Sequence, residues 1–205
     1  MIIIGAKGFA KELLEVCHQL GRTENLVFFD NVSTDLPEQL FGQFPILRTA
    51  EDVKQYFQTK TNAFALGLGK PILRNKMAAL FTSWGGELTS LISPKANIGS
   101  FGVEIGKGAT ILSQATITSS VKIGVGLLMY PNSIVTHDCQ LGDFVELSPG
   151  ATILGNCQIG DNVQIGANAT ILPNLSVGQK SVIGAGSVVT KNIEGNIVVK
   201  GVPAK

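Results

Sequence analysis

Apolar residues recur at every sixth position along the second half of the chain. From Ile105 the frame passes through Ile111, Ile117, Ile123, Met129, Val135, Leu141, Leu147, Ile153, Ile159, Ile165, Ile171, Val177, Ile183 and Val189 without one polar residue. The chain is 44% apolar, so a frame of this length arises by chance on the order of one time in 100,000 or less. Two residues before each of these sites stands a mostly small or slim side chain, Ala109, Ala115, Ser133, Cys139, Ala151 and Cys157 among them, and Gly often follows the aliphatic residue. A period of six fits neither a heptad nor a 3.6-residue helix. It predicts a very short strand and a turn, stacked many times. The hexads also group in threes: Val103-Glu-Ile-Gly, Val121-Lys-Ile-Gly, Cys139-Gln-Leu-Gly, Cys157-Gln-Ile-Gly and Leu175-Ser-Val-Gly recur at a spacing of eighteen. Three hexads per rung make a triangular prism whose rungs cover one another's edges. Ile98 is an out-of-phase forerunner, and the pattern dissolves after Val189.

The first ninety or so residues follow other periods. Residues 1–4 read as a buried strand, 9–20 as an amphipathic helix closed by Gly21, and 26–29 as a second strand ending at Asp30. Residues 31–45, rich in Pro, Asp and Gly, read as a loop. Thr49 and Asp52 resemble a capping box that opens a short helix to Phe57. Residues 62–68 form a third strand, Pro71 opens a helix to about Ser83, and 87–92 form a fourth strand. Strands alternating with helices predict a small, Rossmann-like parallel α/β sheet of about four strands. The expected organisation is a βαβ domain over residues 1–93, the stacked hexads over 94–193 and a tail over 194–205.

Composition narrows the function. The formal net charge is +1 with no basic or acidic block, so the footprint of a nucleic-acid binder is missing. Three Cys and two His occur without a CxxC or a Cys/His cluster, which argues against a structural zinc site or a disulfide framework, and no metal is expected. No apolar run approaches the ~20 residues of a membrane span, and the N-terminus has no basic region or cleavage site, so a cytoplasmic location is expected.

His137 is the one His of the repeat region, two residues beyond core Val135 and followed by Asp138. Its place at the rim of a rung predicts an outward side chain. Transfer of an acyl group to an amine or hydroxyl requires a base that titrates near neutrality, and a neighbouring carboxylate orients the imidazole and favours its protonated form. His18, on the first helix, reads as a solvated helix residue. In the N-terminal half, Gly5-Ala6-Lys7-Gly8 turns from strand into helix and aims N–H groups at an anion. The GxGxxG dinucleotide fingerprint is absent, which disfavours NAD. Asp30, at a strand end, is suited to accept hydroxyl or base N–H groups, with Gly69 and Arg74 as further candidates for the same pocket.

The hexads resemble the bacterial hexapeptide-repeat acyltransferases, which form a left-handed parallel β-helix; the handedness comes from the resemblance alone. Ile2-Ile3-Ile4-Gly5-Ala6-Lys7-Gly8-Phe9-Ala10-Lys11-Glu12, together with the hexads and the Gly201-Val202-Pro203-Ala204-Lys205 ending, narrows this. The chain resembles the sialic-acid O-acetyltransferase and bacillosamine or perosamine N-acetyltransferase group. The resemblance implies an acetyl-CoA-dependent acetyltransferase acting on a nucleotide-linked amino- or hydroxy-sugar in glycan or surface-polysaccharide biosynthesis. It implies a homotrimer with acetyl-CoA between neighbouring β-helices and His137 as general base with Asp138 beside it. It also implies a nucleotide-sugar site at Lys7, Gly8, Phe9, Asp30 and Asn31, and an acetyl-CoA site at Glu146, Ala167 and Ala185. Two positions depart from the group. Phe9 stands where relatives often have a second His lining the acceptor pocket, and Glu146 where many carry a His reaching the thioester region. Glu146 precedes core Leu147 and is expected to point outward. Two other readings share the prism. A γ-type carbonic anhydrase needs three zinc-binding His, and an ice-binding or structural β-helix would use outward Thr110, Thr116, Thr152 and Thr170.

Overall fold

The computed structural model describes residues 1–205. The N-terminal part comprises β1 (Ile2–Ile4), α1 (Gly8–Gln19), β2 (Val27–Phe29), β3 (Gln39–Leu40), β4 (Phe44–Leu47), α2 (Ala50–Thr59), β5 (Ala63–Leu66), α3 (Pro71–Ser83) and β6 (Glu87–Leu88). The sheet runs β3-β4-β2-β1-β5-β6. β1 is flanked on both edges by parallel strands and buried on both faces, which is why Ile2, Ile3 and Ile4 are all apolar with no alternation. α1 buries Ala10, Leu13, Val16 and Cys17 at helical spacing and leaves His18 exposed. It ends where Gly21, at φ +65°, bonds back to the His18 carbonyl. Thr49 and Asp52 close a reciprocal capping box on α2, and Pro71 occupies the first turn of α3.

Two expectations need correction. Residues 31–45 are not all loop: β3 and β4 form an antiparallel hairpin, and β4 joins β2 in parallel. The sheet therefore has six strands, not about four, and is mixed rather than wholly parallel. Pro45 masked β4, because it breaks the apolar run while pointing outward between buried Phe44 and Ile46. The stretch 87–92 is two strands, not one. Glu87–Leu88 completes the N-terminal sheet, whereas β7 (Leu91–Ile92) opens the prism.

Three parallel sheets of two-residue strands make the prism. The first face runs from β7 through Thr110–Ile111, Leu128–Met129, Glu146–Leu147, Gln164–Ile165 and Val182–Ile183 to Val198–Val199. The second runs from Asn97–Ile98 through Ile134–Val135 to Val188–Val189, and the third from Glu104–Ile105 through Gln140–Leu141 to Ser176–Val177. Each rung bonds to the next, as when Thr116 N–H meets Ser133 O at 2.9 Å and Ile134 N–H meets Ala151 O at 2.8 Å. The aliphatic and slim residues face inward together as one core of 27 buried residues. Corners fall at left-handed φ, near +60°, at Asn132, Asp138, Asn156, Asn162, Asn168 and Asn174, where Asn and Asp are tolerated best.

The register also explains the edges of the pattern. Ile98 pairs with Ile117, one residue beyond the usual spacing of eighteen, so the first rung carries an extra residue. Val182 pairs with Val198 and Val177 bridges Ile193, two residues short of eighteen. The prism therefore continues past Val189, and residues 194–205, expected as a tail, contain its last strand and buried Ala204. A fixed frame of six loses a rung that is shortened only at its turns.

Ile153 is fully buried at the middle of the second face. Ile153→Ala should lower unfolding free energy by about 2–5 kcal/mol in urea titration at an unchanged denaturant slope. Thr152→Ala, at a half-buried outward site, should cost less than about 1 kcal/mol.

Candidate active site

One cavity of about 430 Å³ lies at the C-terminal ends of β1, β2 and β5. Lys7, Gly8, Phe9, Asp30, Asn31 and Gly69 all line it, together with Val32, Ser33, Leu68, Leu73 and Met77. The sheet dictates this convergence, since three parallel strands release their loops on the same edge. Asp30 shapes the loop it begins. Its carboxylate accepts the N–H groups of Val32 and Ser33 at 3.1 and 2.9 Å and the Ser33 hydroxyl at 3.1 Å. Partial burial works to raise its pKa, but these bonds and one from Ala6 N–H outweigh burial and hold it below the usual carboxylate value. Arg48, which sequence reasoning passed over, fastens the loop from behind, its guanidinium donating to the carbonyls of Asp30, Ser33, Leu36 and Pro37. Lys7 pairs at the rim with Asp35, 2.9 Å away.

His137 and Asp138 lie elsewhere, on the corner between the second and third faces. Both are exposed, and His137 Nδ1 is 2.8 Å from Asp138 Oδ2. With Nδ1 donating to the carboxylate, Nε2 is left as the accepting nitrogen. Asp138 has a second duty. It occupies the left-handed corner, at φ +60°, that Asn156 and Asn174 occupy in the next rungs, and those two asparagines bond to each other at 2.9 Å. The imidazole lies over Gly155, where a β-carbon would sit 2.4 Å from His137 Cε1. Gly155 N–H makes no backbone bond within the chain. A glycine directly under a catalytic-type His was readable from the spacing of eighteen, but not its reason.

Arg74 and Glu146 are placed differently from expectation. Arg74 is fully buried and is not part of the cavity wall. Its Nη2 donates to Leu127 O at 3.3 Å, while Nε and Nη1 have no partner. Glu146 does point out of the prism, but the N-terminal part covers the first face and leaves it only 2% exposed. Ser148 hydroxyl donates to its Oε1 at 2.8 Å, and Oε2 has no partner. Burial is the main influence on both groups. It lowers Arg74 to about 10 against the pull of Glu146 and Tyr130, and raises Glu146 against the Ser148 bond, Arg74 and Gln164. Only docking of the two parts, invisible in a hexad pattern, makes Glu146 interior.

Ala167 and Ala185 follow Gly166 and Gly184 at the corner between the first and second faces, one above the other. The candidate residues thus gather at three places in one chain: the cavity beside the first face, the Ala corner, and the His137 corner, which is opposite the first face in the triangle.

Two family profiles match the chain: the PglD N-terminal domain over residues 1–81 and the bacterial transferase hexapeptide (six repeats) over 156–191. A histidine-to-asparagine variant of perosamine N-acetyltransferase from Caulobacter crescentus, in complex with CoA and GDP-perosamine, superimposes with a TM-score of 0.92 at 25% identity, over 100% of this chain and 94% of that one. The chain is an acyltransferase built of a PglD N-terminal domain and hexapeptide repeats. The acetyltransferase domain of PglB from Neisseria gonorrhoeae FA1090 is similar at a TM-score of 0.90 and 28% identity, over 100% of this chain and 97% of that one. WeeI from Acinetobacter baumannii AYE gives 0.88 and 29%, with the same coverage. Among curated protein sequences none matches significantly. The prism of this acyltransferase is accordingly the left-handed parallel β-helix, and the non-enzymatic reading of the prism is set aside. No helix is long and apolar enough to cross a membrane.

Gly155→Ala should push the exposed imidazole off its seat, cutting turnover about a hundredfold, with little change in melting temperature. Arg74→Met should destabilise the enzyme by about 3 kcal/mol in urea titration, because it leaves Glu146 buried without its counter-charge. Adding Glu146→Gln to that variant should restore part of the loss.

Proposed function

We propose that the enzyme transfers an acetyl group from acetyl-CoA to the amine of a nucleotide-linked amino sugar, with His137 as general base. The carrying observation is the oriented imidazole: Nδ1 is tied to Asp138 at 2.8 Å on an exposed corner, and Nε2 is free. Nε2 takes the proton of the acceptor amine as its nitrogen attacks the thioester carbonyl. Asp138 steadies the imidazolium that results. The unbonded N–H of Gly155, beside the ring, is suited to hold the oxyanion of the tetrahedral intermediate. Collapse breaks the carbon–sulfur bond, CoA leaves as thiolate, and the imidazolium returns a proton to it. The perosamine N-acetyltransferase relative, bound to CoA and GDP-perosamine, and the PglB domain, bound to acetyl coenzyme A, support this donor and an amine acceptor. We place the step in glycan or surface-polysaccharide biosynthesis, in the cytoplasm.

The same reading assigns the nucleotide to the cavity of the N-terminal part. The Gly5–Gly8 turn and Lys7 face the phosphates there, and Asp30, Asn31 and Ser33 border the nucleoside. In one chain this cavity and His137 are on opposite sides of the prism, and Ala167 and Ala185 are on yet another corner. A site that unites them takes its parts from neighbouring copies, which supports a homotrimer with donor and acceptor meeting between prisms.

His137→Ala should reduce turnover by a factor of about 100 to 10,000, read as CoA release with a panel of GDP-, UDP- and dTDP-linked amino sugars, while the oligomer persists in sedimentation. Near-normal rates in that variant would remove His137 from the mechanism. Mixed trimers of His137→Ala with Gly69→Trp, which fills the cavity, should regain activity that neither parent has. Failure to regain it would argue against a site shared between copies. Acetylation of hydroxy-sugars alone would replace the amine by a hydroxyl as the acceptor.

A further inference from the structure

One aromatic side chain of the prism reaches the residues that line the acceptor cavity. Tyr130 follows the Leu128–Met129 strand at the corner between the first and second faces. Its ring packs against Phe9 with centroids 5.0 Å apart, and a side-chain carbon on Gly69 would lie 3.6 Å from Tyr130 Oη. Phe9 and Gly69 both line the cavity, and the hydroxyl stands next to them, just outside the lining itself. The equivalent positions in neighbouring rungs are Leu112, Ser148, Gly166 and Gly184, which makes Tyr130 the one aromatic of its column. Leu112 is sealed beneath the N-terminal part, at 4% exposure, whereas Tyr130 stays half-buried. Packing alone would be served by another apolar residue there.

The chemistry of the hydroxyl is also specific. Burial, and then the carboxylates of Glu146 and Glu12, push its pKa up to about 12, with Arg74 opposing. The phenol therefore keeps its proton at any physiological pH and is available as a donor. The same cavity is lined by Asp30 and Ser33 of the loop after β2 and by Leu73 and Met77 of α3. With phosphates at the Gly5–Gly8 turn and the nucleoside against Asp30 and Ser33, as proposed above, the side left for the attached sugar is that of Phe9 and Gly69, next to Tyr130.

We propose that Tyr130 is a specificity-determining residue whose hydroxyl donates a hydrogen bond to the sugar of the acceptor, while the N-terminal part holds the nucleotide. This rests on the nucleotide-sugar reading above. The prism thus supplies a sugar-reading group as well as the base.

Tyr130→Phe keeps the ring on Phe9 and removes only the hydroxyl. Calorimetry compares this variant with wild type, using the nucleotide-linked amino sugar that wild type turns over fastest and the matching nucleoside diphosphate. The expected result is an affinity for the nucleotide sugar reduced about three- to tenfold, with affinity for the nucleoside diphosphate unchanged. The acceptor KM should rise while the acetyl-CoA KM and the melting temperature stay put. Equal binding of the nucleotide sugar by both proteins would overturn the proposal, as would equal losses for both ligands, since the hydroxyl would then be reading the nucleotide. Wild type that binds no nucleoside diphosphate and acetylates no nucleotide-linked sugar would instead sink the acceptor reading, and Tyr130's role with it.

Discussion

Each strand of the prism is two residues long and has no partner within its own rung. Its backbone groups are satisfied only by the rungs before and after it, as when Gln140 N–H reaches Cys157 O at 2.9 Å and Gln158 N–H reaches Leu175 O at 2.9 Å. This ladder forces the rest. Rungs must stay in register, so the inward aliphatic and slim side chains stack in columns, and the corners must turn within two residues. The run of Asn at left-handed φ and the Asn156–Asn174 side-chain bond follow from that tight turning. Length changes are confined to turns, as at the longer first rung and the shorter last one, because a slip within a strand would move a core residue outside.

A stack of this kind has two ends and three flat faces, and the N-terminal part uses both an end and a face. The chain leaves the N-terminal sheet at β6 and opens the first face at β7, so the short stretch 87–92 joins the two bodies directly. Docking then covers the first rungs of that face, burying Leu112 and Phe144 among the apolar residues of the N-terminal part. It also buries Arg74 and Glu146, a costly placement for two charges with unpartnered atoms. The remaining corners stay open, and His137 is on the corner facing away from the docked face. The protein thereby holds the cavity of the N-terminal part on one side of the prism and His137 on the other.

Within that frame, chemistry enters at corners. A regular rung offers Thr, Gln or Lys outward, none of which titrates near neutral pH. At Thr136-His137-Asp138 the corner gains a base, and the carboxylate that a left-handed turn readily accepts is the one that orients it. Gly155 beneath completes the arrangement by leaving room for the ring. Tyr130 is the corresponding departure at another corner, a large polar ring in a column that becomes small in later rungs.

Much of this was legible in the chain itself. Period six and its grouping in threes specify strand length, rung size and inward columns, because burial on a repeating backbone must repeat. The βαβ alternation, the Thr49 capping box and the Gly5–Gly8 turn are likewise local, and His137-Asp138 stands out as the one place where the repeat region carries a base. Other features depended on what packs against what. Pro45 concealed β4, whose pairing with β2 is long-range, and residues 87–92 read as one strand because nothing local marks where it passes from one sheet to the next. Glu146 looked like an outward residue, and so it is, until a second body covers it. Arg74 looked like a pocket residue and became interior for the same reason. The sequence by itself determined which residues each rung turns inward, since that follows from periodicity and solvent alone. The tertiary structure decided which outward residues face water, which lie against the N-terminal part and which are buried, since those depend on the single face that the N-terminal part covers.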